Sequence, residues 1–319
     1  MAIMTRAPEA EAWLAPTPAK QPRGRRRSFS TERRQAVAGY LFISPAMLIF
    51  FIFTLLPVAY TLFLSFTNYD VFTRMDWIGA RNYEDVFQDE LFWRALWNTA
   101  TYTLWSIPLS MSIGLGLALL LNQKLRGLGL YRTVYYVPVV TSMVAVAMIW
   151  IQLFDPLYGV ISTGLETIGL KGIDWLGDPN LAMPSIIAVS VWKVIGWNML
   201  IYLAGLQGIP EYLKEAAAID GANRWQSFWK IILPLLSPTT FFILVTSLIG
   251  AFQVFDQVYV MTGGGPANAT TTLVHQIYNA AFKALDMGYA AAMSFVLFGI
   301  ILVVSLFSMR AIRGEVAYQ

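Results

Sequence analysis

The chain has no cysteine and only one histidine, His275, in 319 residues. The first absence excludes disulfides, thiolate metal sites and cysteine nucleophiles. The second leaves little for histidine chemistry. His275 stands in a loop with no carboxylate at a ligand-like spacing, and is read as a surface residue. Charge is scarce too: 13% of residues are charged and 57% hydrophobic, with a mean hydropathy of +0.56. Soluble domains carry roughly 25% charged residues, so this composition belongs in a bilayer. No G-x-x-x-x-G-K-[ST] occurs, which excludes that mode of ATP binding. Gly263-Gly264-Gly265-Pro266 supplies glycines without the lysine. No repeat of 20–50 residues is visible, and no catalytic or metal-ligating set emerges.

What is present is a series of apolar runs. Six are long enough to span, near 39–66, 98–122, 134–154, 184–206, 236–256 and 289–310, with the third and fifth the shortest. They are continuous rather than alternating, which predicts an all-α membrane protein and not a β-barrel. Lys and Arg are unevenly shared among the connecting segments. Sixteen lie in the N-terminal tail, the 123–133 and 207–235 loops and the C-terminus; five lie in the three opposite loops. The positive-inside rule then places both termini and the 207–235 loop in the cytoplasm.

Residues 1–35 are rich in Pro, Ala and Arg and lack apolar periodicity. They are expected to form a disordered basic tail near anionic headgroups, not a nucleic-acid site. The first span is too long for a signal-peptide core and reads as an uncleaved anchor. Residues 36–319 form one membrane domain. Pro45, Pro57, Pro108 and Pro138 fall inside spans and are expected to bend them. Gly114 and Gly116 give the second span a face for close packing.

Polar groups inside the spans are few. Lys193 is an intramembrane charge, and either serves function or snorkels to the outer interface. Asn198, Gln253 and Asp256 are further candidates to line a path. Trp192, Trp197 and Tyr202 can stack on sugar rings, although aromatics in spans also serve as packing and interface anchors.

The 211–234 stretch, EYLKEAAAIDGANRWQSFWKIILP, is different in kind. It reads as a short helix starting after Pro210, with Tyr212, Leu213, Ala216 and Ala217 at helical spacing on one face. A turn follows at Asp220-Gly221. A second helix presents Trp225, Phe228, Trp229 and Ile232 and is stopped by Pro234. The run Ala216–Ala218 leaves a slim surface that another protein can approach closely.

Glu215, Ala216, Ala217, Asp220, Gly221, Ala222, Phe228, Ile231, Leu233 and Pro234 together resemble the EAA motif of permease subunits in binding-protein-dependent ABC importers. AGLQGIP before the motif, TGGGPANATTTLVHQIYNAAF after the fifth span, and the spacing of Pro45, Pro57 and Ser65-Phe66 resemble the sugar-permease branch, the maltose and glycerol-3-phosphate type. The resemblance covers about 36 to 313; the basic tail lies outside it. It implies a type I importer permease with six spans in a bacterial inner membrane, working by alternating access. The implied coupling residues are Glu215, Ala216, Ala217, Asp220, Gly221 and Ala222. The implied partners are a second permease, two ATPase subunits, an extracytoplasmic solute-binding protein and a carbohydrate. ATP and Mg are implied on the ATPase, with no cofactor on this chain and no enzymatic activity of its own. A channel or facilitator working without an ATPase is the competing reading; a membrane enzyme lacks the His, Cys and paired carboxylates it would need.

Overall fold

A computed structural model describes residues 29–316, apart from 73–74, 124–126, 168 and 170–172. The basic tail up to residue 28, and Arg74, Lys124, Arg126 and Lys171 of the charge pattern, lie outside the described residues. The chain divides into two units after Val58.

The first unit is helical from Phe29, ahead of the boundary expected at residue 36. Helix α1 (Phe29–Phe50) passes through a π-turn (Phe51–Leu55) into α2 (Leu56–Leu64). In that turn the Leu56 N–H donates to the Phe51 carbonyl. Pro57 follows and brings no N–H to the ladder, so the wider turn falls where the regular register is already interrupted. The stretch Arg33–Leu64 contains an 18-residue window of mean hydropathy 2.4 and is long enough to cross a membrane.

The second unit begins at Ala59 within α2 and continues to α3 (Arg81–Gln88), which turns Asn82 and Val86 inward. The Asn82 amide donates to the carbonyls of Ser65 at 2.9 Å and Thr67 at 2.8 Å. Asp89 then caps α4 (Glu90–Leu121), accepting from the Leu91 N–H at 2.8 Å. Buried Thr99 and Thr103 in α4 donate to the carbonyls four residues back, which satisfies hydroxyls that have no water.

The third apolar run is broken. Helices α5 (Leu128–Val140) and α6 (Met143–Leu153) meet at 98°, with Thr141 and Ser142 extended between them. A short α7 (Val160–Glu166) precedes α8 (Ala182–Gln207). Helix α8 is the hub of the bundle, and three close approaches position it. A Cβ on Gly114 of α4 would lie 2.7 Å from the Asn198 Cβ. A Cβ on Gly196 would run into the Tyr135 carbonyl of α5. A Cβ on Gly205 would lie 2.6 Å from the Thr239 hydroxyl. In lipid, where apolar burial gives no preference for helix over acyl chain, such contacts are what pack helices together.

After α8 come α9 (Glu211–Ile219), α10 (Arg224–Ser227), a π-turn (Phe228–Ile232) and α11 (Leu233–Leu235). Pro234 does not stop this helix. It sits in the first turn of α11, where no intrahelical N–H bond is required, and the chain bends 63° only at Leu236 into α12 (Ser237–Phe252). Helices α13 (Asp256–Met261), α14 (Leu273–Tyr278) and α15 (Met287–Val316) complete the unit.

Four helices are long and apolar enough to cross a membrane, and the two bent pairs raise the number to six if each is one span. Among the described residues there is no strand, only two isolated bridges.

One expectation fails outright. His275 is not a surface residue: it is 1% exposed in α14. The segment around Gly264 closes over its ring, and a Cβ there would lie 2.6 Å from His275 Cε1. Burial pushes its pKa below the ordinary 6.5, assisted by the positive charge of Lys283.

Candidate functional site

The second unit holds a cavity of about 320 Å³ among α4, α6, α8, α12 and α13. Its polar wall is built by spacing. Tyr102, Ser106 and Ser110 lie four residues apart on α4 and so share one face. Helix α8 adds Ser190, Lys193 and Trp197, α12 adds Thr246, Ser247 and Gly250, and α13 adds Gln257. Among the lining residues Lys193 is the one formal charge, and no carboxylate is present.

The side chains are organised before any cargo arrives. The Gln257 amide donates to the Tyr102 hydroxyl at 3.0 Å and to the Ser190 hydroxyl at 3.1 Å, linking α13, α4 and α8. Ser190 and Ser110 donate to the carbonyls of Ile186 at 2.7 Å and Ile107 at 3.0 Å. Thr246 donates to the Phe242 carbonyl at 2.8 Å. Lys193 Nζ donates to the carbonyls of Pro138 at 3.0 Å, Val139 at 3.3 Å and Thr141 at 2.8 Å. Those carbonyls end α5, where a helix leaves its last acceptors unpaired and carries partial negative charge.

The residues singled out from the sequence separate here. Lys193 lines the cavity, and so does Trp197. Trp192 points instead into an apolar groove of about 770 Å³ between α4 and α8, with Trp105, Ile113 and Ile187. Asn198 is fully buried against Gly114. Tyr202 is 2% exposed and packs with Met199, Leu206 and Leu236. Gln253 and Asp256 are exposed and do not line the cavity. The residues the sequence reading did not single out are Tyr102, Ser106, Ser110, Ser190, Thr246, Ser247 and Gln257. The four-residue hydroxyl stripe on α4 was the available signal.

The second feature is the α9–α10 hairpin. Leu213 is half-buried and Ala217 buried, while Glu211, Tyr212, Glu215, Ala216, Ala218, Ile219 and Asp220 are exposed. Tyr212 and Ala216 therefore leave the face on which the sequence grouped them with Leu213 and Ala217. Gly221 takes φ +81°, which ends α9 and reverses the chain. Ala222 is half-buried beyond it. Asn223 and Gln226 form a reciprocal capping box at 2.8 and 2.9 Å, starting α10. The result is a slim, capped knob with a carboxylate, Glu215, on its open face.

Residues 106–313 match the family described as binding-protein-dependent transport system inner membrane component. The chain is 37% identical over 281 residues to the sn-glycerol-3-phosphate transport system permease protein UgpA of Agrobacterium fabrum, covering 88% of this chain and 96% of that one. It is 38% identical over 291 residues to the lactose transport system permease protein LacF of Rhizobium radiobacter, covering 89% and 97%. Among solved structures it resembles a chain in the crystal structure of a bacterial alginate ABC transporter in complex with an alginate pentasaccharide-bound periplasmic protein. That likeness has a TM-score of 0.77, with 27% identity, and covers 88% of this chain and 96% of that one.

Proposed function

We propose that this chain, which belongs to the family of binding-protein-dependent transport system inner membrane components, is the permease subunit of an ATP-driven importer for a carbohydrate. The observation that carries this reading is the pairing, in one chain, of a hydroxyl-lined cavity among apolar helices with an exposed helical knob. The knob lies just C-terminal to α8, the helix that supplies Ser190, Lys193 and Trp197 to the cavity. A push on α9 is thus one short connection, Gly208 to Pro210, away from the cavity wall.

In this reading Glu215, Ala216, Ala217, Asp220, Gly221 and Ala222 form the surface on which a separate ATPase subunit docks. The small side chains admit a close approach, and Glu215 offers a carboxylate for a charge-assisted bond to a basic group. ATP and Mg belong to that subunit, and this chain has no cofactor of its own. A second permease, two copies of the ATPase and an extracytoplasmic solute-binding protein complete the assembly. In this reading each bent pair is one span, which makes six, and the Lys and Arg distribution supports cytoplasmic termini. Alternating access then moves the cavity between the two faces. The test is uptake in cells lacking the co-expressed ATPase gene: the reading requires uptake to vanish, and retained uptake would leave a facilitator.

A further inference from the structure

The hydrogen bonds around the cavity specify more than polarity. Lys193 has three N–H groups and no acceptor, and three backbone carbonyls take them. The two N–H groups of Gln257 go to Tyr102 and Ser190. The hydroxyl hydrogens of Ser110, Ser190 and Thr246 go to carbonyls of their own helices. With those hydrogens committed, what Ser110, Ser190 and Thr246 have left to offer a cargo is oxygen lone pairs. The remaining donors, on Tyr102, Ser106, Ser247 and Trp197, are neutral.

An anionic cargo needs convergent donors or a free cation, because stripping its water costs several kcal/mol per ion (about the scale for buried charges) unless it is repaid. The Lys193 charge is already set against the negative end of α5. To meet an anion it would have to give up part of its hold on the half-buried carbonyls at the end of α5, of which Pro138 keeps a second donor in the Thr141 hydroxyl at 2.6 Å. A hydroxyl-rich neutral molecule needs the opposite, acceptors for its O–H groups, and the cavity supplies them. Trp197, a lining residue that is 44% exposed overall, adds an aromatic ring suited to a pyranose.

From this we infer that the cargo accepted at this cavity is an uncharged, polyhydroxylated carbohydrate, and that Lys193 shapes the cavity without binding cargo. The inference rests on the importer reading above.

It is tested on the complex purified with its ATPase and binding protein and reconstituted in liposomes. ATP turnover is measured with lactose, a methyl glucoside and maltose, and separately with sn-glycerol-3-phosphate and an oligoalginate. Stimulation of several-fold by an uncharged compound, with none by the two anions, is the expected result. A parallel Lys193→Met complex should then lose stimulation without acquiring a response to anions. Stimulation by either anion equal to or above that of any uncharged compound overturns the inference, and overturns it most directly if Lys193→Met abolishes that response. The wild-type panel alone decides this if the variant does not assemble. If no compound in either set stimulates turnover, the importer reading itself falls, and the inference falls with it.

Discussion

Lys193 on α8 donates to the carbonyl of Thr141 at 2.8 Å, across the point where the third apolar run turns through 98°. This bond and its neighbours to Pro138 and Val139 explain how a sharply broken helix is tolerated among apolar segments. The carbonyls released at the end of α5 are met by an ammonium instead of being left in hydrocarbon. Thr141 contributes its own hydroxyl to the Pro138 carbonyl at 2.6 Å.

Removing that ammonium should loosen the bend. Hydrogen bonds to a charged group contribute about 1.5–3 kcal/mol each, and three that share one nitrogen are not additive. Lys193→Met is expected to lower the thermal midpoint of the detergent-solubilised protein, and Lys193→Arg to recover part of it. An unchanged midpoint in Lys193→Met would show that the carbonyls find other partners.

Gly196 is the second support of the same junction. A methyl group there meets the Tyr135 carbonyl, which is backbone and cannot rotate away. Gly196→Ala should force α5 from α8 and cost about 1–3 kcal/mol, the usual range for overpacking. Gly116, where an added Cβ meets nothing within 4 Å, provides the control. Equal stability of Gly196→Ala and Gly116→Ala would refute the close approach.

The His275 segment should respond to acid. Its pKa in the folded protein lies below the ordinary 6.5, so the folded state binds the proton less readily than the unfolded one. Its contribution to stability is full above 6.5 and declines as pH falls from 6.5 toward the lower folded value. Amide protection factors in residues 263–275, taken relative to the intrinsic exchange rate at each pH, should fall as the pH is taken from 7.5 to 5.5. In His275→Gln that fall should be absent; a profile identical to wild type would assign it elsewhere.

Glu215 is exposed on a knob that packs through Leu213 and Ala217, so changing it should leave the fold alone. Glu215→Lys is expected to reduce uptake to background while the protein still reaches the membrane in normal amount. Near-normal uptake would remove Glu215 from the docking surface.

Gln257 ties three helices at the cavity. Gln257→Leu should leave the Tyr102 and Ser190 hydroxyls without their shared donor. The expected effect on transport is a raised KM for cargo with basal ATP turnover maintained in the complex. A fall in basal turnover with unchanged KM would make Gln257 a structural tie only.

Much of this protein is legible along the chain because its strongest signals are local. A long, continuous apolar run reads as a helix in lipid, since a helix satisfies every backbone group within the segment and a barrel strand would show alternation. The turn at Gly221 and the small residues of α9 are likewise short-range features, and the hairpin could be read before any fold was known. The cavity was harder. Lys193 and Trp197 drew notice as isolated oddities, yet Trp192, adjacent to Lys193, faces an apolar groove. Adjacent residues on a helix point about 100° apart, and which direction is inward depends on the neighbouring helices. Gln253 and Asp256 lie outside the cavity lining for the same reason, and Gln257 lies within it because α13 starts a new helix axis after Phe252. His275 was misplaced because its burial is made by a glycine loop whose path no periodicity reveals.

The sequence by itself determined that this is a helical bilayer protein with no cysteine, a single histidine and no P-loop motif, carrying a charge-bearing amphipathic hairpin between two apolar runs. Composition and spacing suffice for that, because lipid leaves the backbone so few choices. Tertiary structure alone decided where the third run breaks, that Lys193 closes the break, and which hydroxyls face a common space. Those depend on three glycine-sized contacts between helices far apart in sequence, and on how many hydrogen-bond donors are already committed once the helices meet.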